Sequence, residues 1–140
     1  MKPWITYAII SMIFAGFTSV IAKMGLSGIS GELGLTIRTI FVFIFVLGFA
    51  VFAVPQSQLA ELTKNNFFWL GLSGVTTSLS WIFYYKALKD GEVSTIALID
   101  KGSMVVAVIL AYFILKEQIT WKTIAGGSLM IAGIFIIARK

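Results

Sequence analysis

Asp100 and Lys101, an acid and a base side by side, sit inside the apolar run from Ile96 to Leu115. A run of roughly twenty residues, rising about 1.5 Å each, covers the hydrocarbon core of a bilayer. An ionised side chain at the centre of such a helix costs on the order of 3 kcal/mol, so residues of this kind face a protein interior or a water-filled cavity. The chemistry open to Asp100 is that of a buried carboxylate, which holds a cationic group or exchanges a proton. Arg38, near the start of another apolar run, and Lys23, at the end of a third, suit an anionic group. The competing use is structural: Asp100 as a fixed partner of Arg38 or a lysine, with the remaining bases reaching back to the membrane surface.

Covalent chemistry finds little to work with. The chain has no Cys and no His, which removes thiolate nucleophiles, imidazole bases, haem ligands and the common zinc sites. No other nucleophile and base stand at a recognisable spacing, so neither an enzyme nor a cofactor is expected. The 140 residues are 59% hydrophobic and 12% charged, whereas soluble domains are about half apolar and a quarter charged. The composition is that of an integral membrane protein. The excess of 11 basic over 6 acidic residues lies at the ends of apolar runs, a membrane habit that points away from nucleic acid.

Five apolar stretches can position these residues: about 4–23, 35–54, 67–88, 94–115 and 122–138. Between the first two, the Gly- and Ser-rich segment from Gly25 to Gly34 reads as a short turn, and Pro55 closes the second. Residues 56–66 suggest a short helix lying in the interface. In the third stretch Asn66, Ser73, Thr77, Ser80 and Tyr84 fall within about 40° of one another on a helical wheel. That polar stripe, with Trp81 and Tyr84 able to stack on a substrate, suits the wall of a hydrated path; hydroxyls bonded back to their own helix are the structural alternative. A weaker stripe of Tyr7, Ser11 and Thr18 runs along the first stretch, and Lys86 points away from the main one. In the fourth, Asp100 shares a face with Ala97, Ser103, Ala107 and Ala111, small residues that mark close helix contact, while Lys101 turns aside. Gly126, Met130 and Gly133 form one face of the fifth, suited either to packing within the chain or to a dimer seam.

Five spans place the two termini on opposite sides of the membrane. Lys2, Lys64, Lys116 and Lys122 then fall on one side and Lys23, Lys86, Lys89, Arg139 and Lys140 on the other, with Arg38 and Lys101 within the membrane. So even a division gives the positive-inside rule little hold. Two oppositely oriented copies would form a pseudo-twofold pair like the inverted repeats of larger transporters. On this count Arg38, Lys23, Lys86, Asp100 and Lys101 share one half of the membrane and surround one mouth of a path.

The stretch from Trp81 to Ile137 resembles the second part of an EamA-type domain of the drug/metabolite transporter superfamily. The resemblance rests on Tyr84 and Tyr85 before Ala87 and Leu88, on Leu115 followed by Glu117, and on Gly126, Gly127 and Gly133 in the last helix; Trp4, Lys23 and Arg38 fit the first part. It implies a single all-α domain over residues 1–140, a polytopic bundle of five transmembrane helices that is half of a ten-span inverted-repeat fold. It implies a secondary transporter of the inner cell membrane, an exporter or exchanger of small metabolites working by alternating access. Its partners would be the lipid bilayer, a small-molecule solute and a homologous chain in a homodimer or heterodimer, with no nucleic acid. The alternative is a non-transporting accessory subunit of a heteromeric membrane complex, such as a lipid-linked sugar flippase. Many members carry a Pro near the position of Asp100 and Lys101, and here charge is expected to have replaced that helix break. Glu117 is expected to pair with a nearby base such as Lys122.

Overall fold

The computed structural model describes residues 3–139. Lys2 and Lys140, counted above among the flanking bases, lie outside the described residues. All regular structure among them is helical: α1 (Pro3–Gly25), α2 (Gly31–Ala53), α3 (Gln56–Leu59), α4 (Lys64–Asp90), α5 (Val93–Asp100), α6 (Ser103–Leu115) and α7 (Trp121–Ala138). Local chemistry sets these limits. Ser30 caps α2 by accepting from the backbone N–H of Leu33 at 3.2 Å, and Val54 turns extended before Pro55. Thr120 caps α7 through the N–H of Thr123 at 3.3 Å. At the start of α4, Thr63 and Asn66 cap one another: the Asn66 N–H donates to the Thr63 hydroxyl at 3.2 Å and the Thr63 N–H to the Asn66 side-chain oxygen at 3.1 Å. Asn66, placed by its wheel position in the polar stripe, is a capping residue.

Among the described residues, α1, α2, α7 and the combined run Val93–Leu115 are long and apolar enough to cross a membrane. None of the residues in their most apolar windows is buried against protein, as expected of surfaces solvated by lipid or by another chain. The remaining stretch of the sequence reading, the third, is α4. Its 27 residues span about 40 Å, long enough to cross, but its hydroxyl and charged residues make it less apolar than the other four.

The chain divides into two compact units. One, here the middle unit, is Ile21–Asp90; the other, the terminal unit, combines Met1–Val20 with Gly91–Lys140. In the middle unit α2 packs on α4, and the buried apolar side chains are Leu26, Tyr85 and Leu88. Gly31 makes that packing possible: a Cβ there would lie 2.7 Å from the carbonyl oxygen of Tyr85. In the terminal unit α7 packs on both α5 and α6.

Candidate functional site

In the middle unit, cations collect where the end of α1, the start of α2 and the end of α4 meet. The Lys23 ammonium donates to the carbonyls of Leu88 at 2.6 Å and Lys89 at 3.0 Å. Lys89 in turn donates to the carbonyl of Leu26 at 3.1 Å. Lys23 thus satisfies carbonyls that the end of α4 leaves open, at the negative pole of its dipole, and Lys89 adds a second donor to the carbonyl just past α1, which also accepts from the Ile29 N–H at 3.4 Å. Lys86 lies 3.5 Å from the Glu32 carboxylate, both well exposed, an arrangement that adds little stability. Lys23, proposed by the sequence for an anionic group, is engaged with helix-end carbonyls.

Arg38 sits apart from these pairings. Its guanidinium carbon lies 4.3 Å from the centroid of the Trp81 ring and 5.9 Å from that of Tyr85. One terminal nitrogen, Nη1, is fully buried and has no hydrogen-bond partner. Ring π electrons attract the charge but offer no lone pair to an N–H. A buried donor left unsatisfied costs roughly 1–3 kcal/mol, and more when it is charged. Beside this cluster α2 and α4 enclose an open groove of about 650 Å³ whose walls include Glu32, Thr36, Phe43, Ser78, Trp81 and Lys86. The Thr36 hydroxyl donates to Glu32 O at 2.9 Å and that of Ser78 to Gly74 O at 2.9 Å, so both present only lone pairs to the groove.

Ser73, Thr77 and Ser80 are exposed and Tyr84 is half-buried. The Thr77 hydroxyl donates to Ser73 O at 2.8 Å, and on α1 Thr18 donates to Phe14 O at 2.8 Å. Back-bonding accounts for these donors and leaves acceptors on the open faces. Trp81 belongs with Arg38, one turn from Tyr85. The i, i+4 spacing of Trp81 and Tyr85 carried that signal, whereas the polar stripe pointed to Tyr84.

In the terminal unit the run Val93–Leu115 breaks at the charged pair. The N–H groups of Gly102, Met104 and Val105 bond to the carbonyls three residues back, at 2.8, 3.1 and 3.0 Å, a tightening that marks hinges when it interrupts a helix. Charge therefore accompanies a helix break here and does not replace one. Asp100 and Lys101 lie 3.8 Å apart with side chains 39% and 47% exposed, an open pair on the outside of the turn. Gly102 sits against α7, where a Cβ would be 3.2 Å from Ile134 Cδ1 and 3.0 Å from Ile99 O. On α7 a Cβ at Gly126, Gly127 or Gly133 would meet nothing within 4 Å, whereas Met130 lines a groove against α6. Among the described residues Glu117 makes no ion pair with Lys122; its N–H bonds to Ala111 O at 3.2 Å and closes the end of α6.

A family model described as the EamA-like transporter family matches residues 2–139. The chain belongs to the EamA-like transporter family. A relative from Sinorhizobium sp., named an uncharacterized transporter in the cobO 3' region, is 33% identical over 138 residues, which are 98% of this chain and 97% of its own. No solved structure matches the chain. As an EamA-like transporter with four helices apolar enough to cross the bilayer, the molecule is a multi-pass membrane protein that handles a small solute. The candidate residues of the sequence reading fall mainly into an arginine–aromatic cluster on the α2–α4 pair and a charged helix break between α5 and α6.

Proposed function

We propose that this transporter exchanges or exports a small metabolite across the inner membrane by alternating access, with α4 as a fifth span and a second, oppositely oriented copy completing the path. The observation that carries the reading is the break at Asp100–Gly102 within an otherwise apolar span, where a carboxylate and an ammonium stay open to their surroundings. A broken helix frees backbone carbonyls and gives a hinge, and in membranes such backbone is tolerated where it lines a cavity. Asp100 and Lys101 are the residues assigned to coupling or recognition. Arg38 and Trp81 act on the solute in the middle unit, and Ser73, Thr77, Ser80 and Tyr84 supply polar groups along the path. Lys23 holds helix ends in place.

The test is solute flux into proteoliposomes made with the purified chain. Asp100→Asn is expected to cut flux at least tenfold with helix content and detergent stability retained; normal flux in that variant refutes the coupling role. An accessory-subunit reading draws support from the glycine face of α7, where a Cβ at Gly126 or Gly133 would meet nothing within 4 Å among the described residues. It predicts no flux from the purified chain and recovery of a heteromeric complex from native membrane.

A further inference from the structure

The groups around Arg38 leave its guanidinium short of an acceptor. In the middle unit Lys23 and Lys89 donate to main-chain carbonyls, Glu32 faces Lys86, and the Arg38 guanidinium lies over the rings of Trp81 and Tyr85 with Nη1 buried and unbonded among the described residues. Four cations, Lys23, Arg38, Lys86 and Lys89, stand against Glu32 and Asp90 in this part of the unit, so the local field favours an anion. A guanidinium is always charged and presents a planar fork of N–H groups that matches the two oxygens of a carboxylate or phosphate. Trp81 joins this cluster to the groove, since the same ring carries Arg38 and forms part of the groove wall.

We propose that Arg38, with Trp81 beneath it, binds the oxyanion of the transported solute, so the cargo is a small organic molecule carrying a carboxylate or phosphate. This rests on the transport reading above and names the substrate class. It predicts recognition by the arginine fork, not by charge alone.

Trp81 supplies its own reporter. The full chain with Trp4, Trp69 and Trp121 changed to Phe keeps Trp81 as its one indole, and its emission is titrated in uncharged detergent with inorganic phosphate, acetate and chloride at constant ionic strength. Phosphate or acetate is expected to produce a saturable change that chloride does not. Arg38→Gln is expected to weaken that change at least tenfold, and Arg38→Lys, which keeps the charge and so guards against a mere folding defect, to weaken it several-fold. No response to either oxyanion, an equal response to chloride, or an Arg38→Lys variant that titrates like the parent overturns the proposal. Nanodiscs of phosphatidylcholine with and without phosphatidylglycerol separate the two sources of oxyanion. If the anionic lipid shifts the emission and soluble oxyanions do not compete with it, the site holds a lipid phosphate and the cargo assignment fails. Flux is measured on the same preparations: oxyanion binding without flux sinks the transport reading alone, whereas flux of an uncharged or cationic solute that Arg38→Gln leaves intact sinks the anion assignment alone.

Discussion

At the scale of single residues, the ends of the helices hold the sharpest predictions. Lys23 gives two charge-assisted hydrogen bonds to the last carbonyls of α4, and bonds to a charged group contribute about 1.5–3 kcal/mol together with the open carbonyls they satisfy. Lys23→Met is expected to lower stability by that amount, read as thermal unfolding in detergent; an unchanged midpoint shows that the carbonyls find other donors. Lys116 closes α6 in the left-handed region at φ 57°, where glycine is the usual residue. Lys116→Gly relieves a backbone cost of about 1 kcal/mol and is expected to raise the unfolding temperature without altering transport. The sequence marked Arg38, Lys23 and Asp100 by type alone, because a charge in an apolar run is conspicuous. Their partners were not legible. Lys23 answers helix ends more than 60 residues away in sequence, and Tyr85 enters the Arg38 cluster only through the way α4 lies on α2, fixed by the close approach at Gly31.

At the scale of elements, the interrupted span is the part expected to move. A methyl group at Gly102 meets Ile99 O at 3.0 Å and Ile134 Cδ1 at 3.2 Å, contacts that force a shift in one or the other. Gly102→Ala is therefore expected to lower flux several-fold by wedging α5 and α6 against α7, with helix content unchanged by circular dichroism. Adding Ile134→Val removes one of the crowded atoms and should restore part of the flux; coupling of this kind is what a double-mutant cycle measures. If Gly102→Ala transports normally, the tightened turn is a fixed bend. The apolar runs coincide to within a few residues with four helices long and apolar enough to cross a membrane, because lipid demands long uninterrupted runs. Apolar periodicity missed the break, since no Pro marks it, and the signal lay in the charged pair followed by glycine. It also gave α4 a polar stripe from which Asn66 must be withdrawn, because a wheel cannot distinguish a cap from a lining residue.

At the scale of the whole molecule, the even spread of bases and the uncovered face of α7 belong to one argument. If α4 is a fifth span, the chain has little charge bias and lacks the signal that fixes orientation, and a helix on which a Cβ at Gly126 or Gly133 would meet nothing within 4 Å among the described residues keeps a surface on which a second helix can pack closely. Leu at Gly126 and Gly133 together should weaken dimers at least tenfold, seen by cross-linking in native membrane, and lower flux in proportion. The orientation itself is read by labelling. The chain has no Cys, so single cysteines can be placed beside Trp4 and beside Arg139 and exposed in intact cells to a reagent that does not cross the membrane. Five spans in two orientations predict that each site labels partially and to a similar extent. Four spans in one orientation, with α4 lying outside the bilayer, predict that both sites label fully or neither does, since an even number of crossings returns the chain to its starting side. A chain carrying both cysteines separates mixed four-span from mixed five-span insertion by whether one molecule takes up two labels or one. Full labelling of one site and none of the other leaves five spans in one orientation and rules out a partner of the same sequence inserted the opposite way.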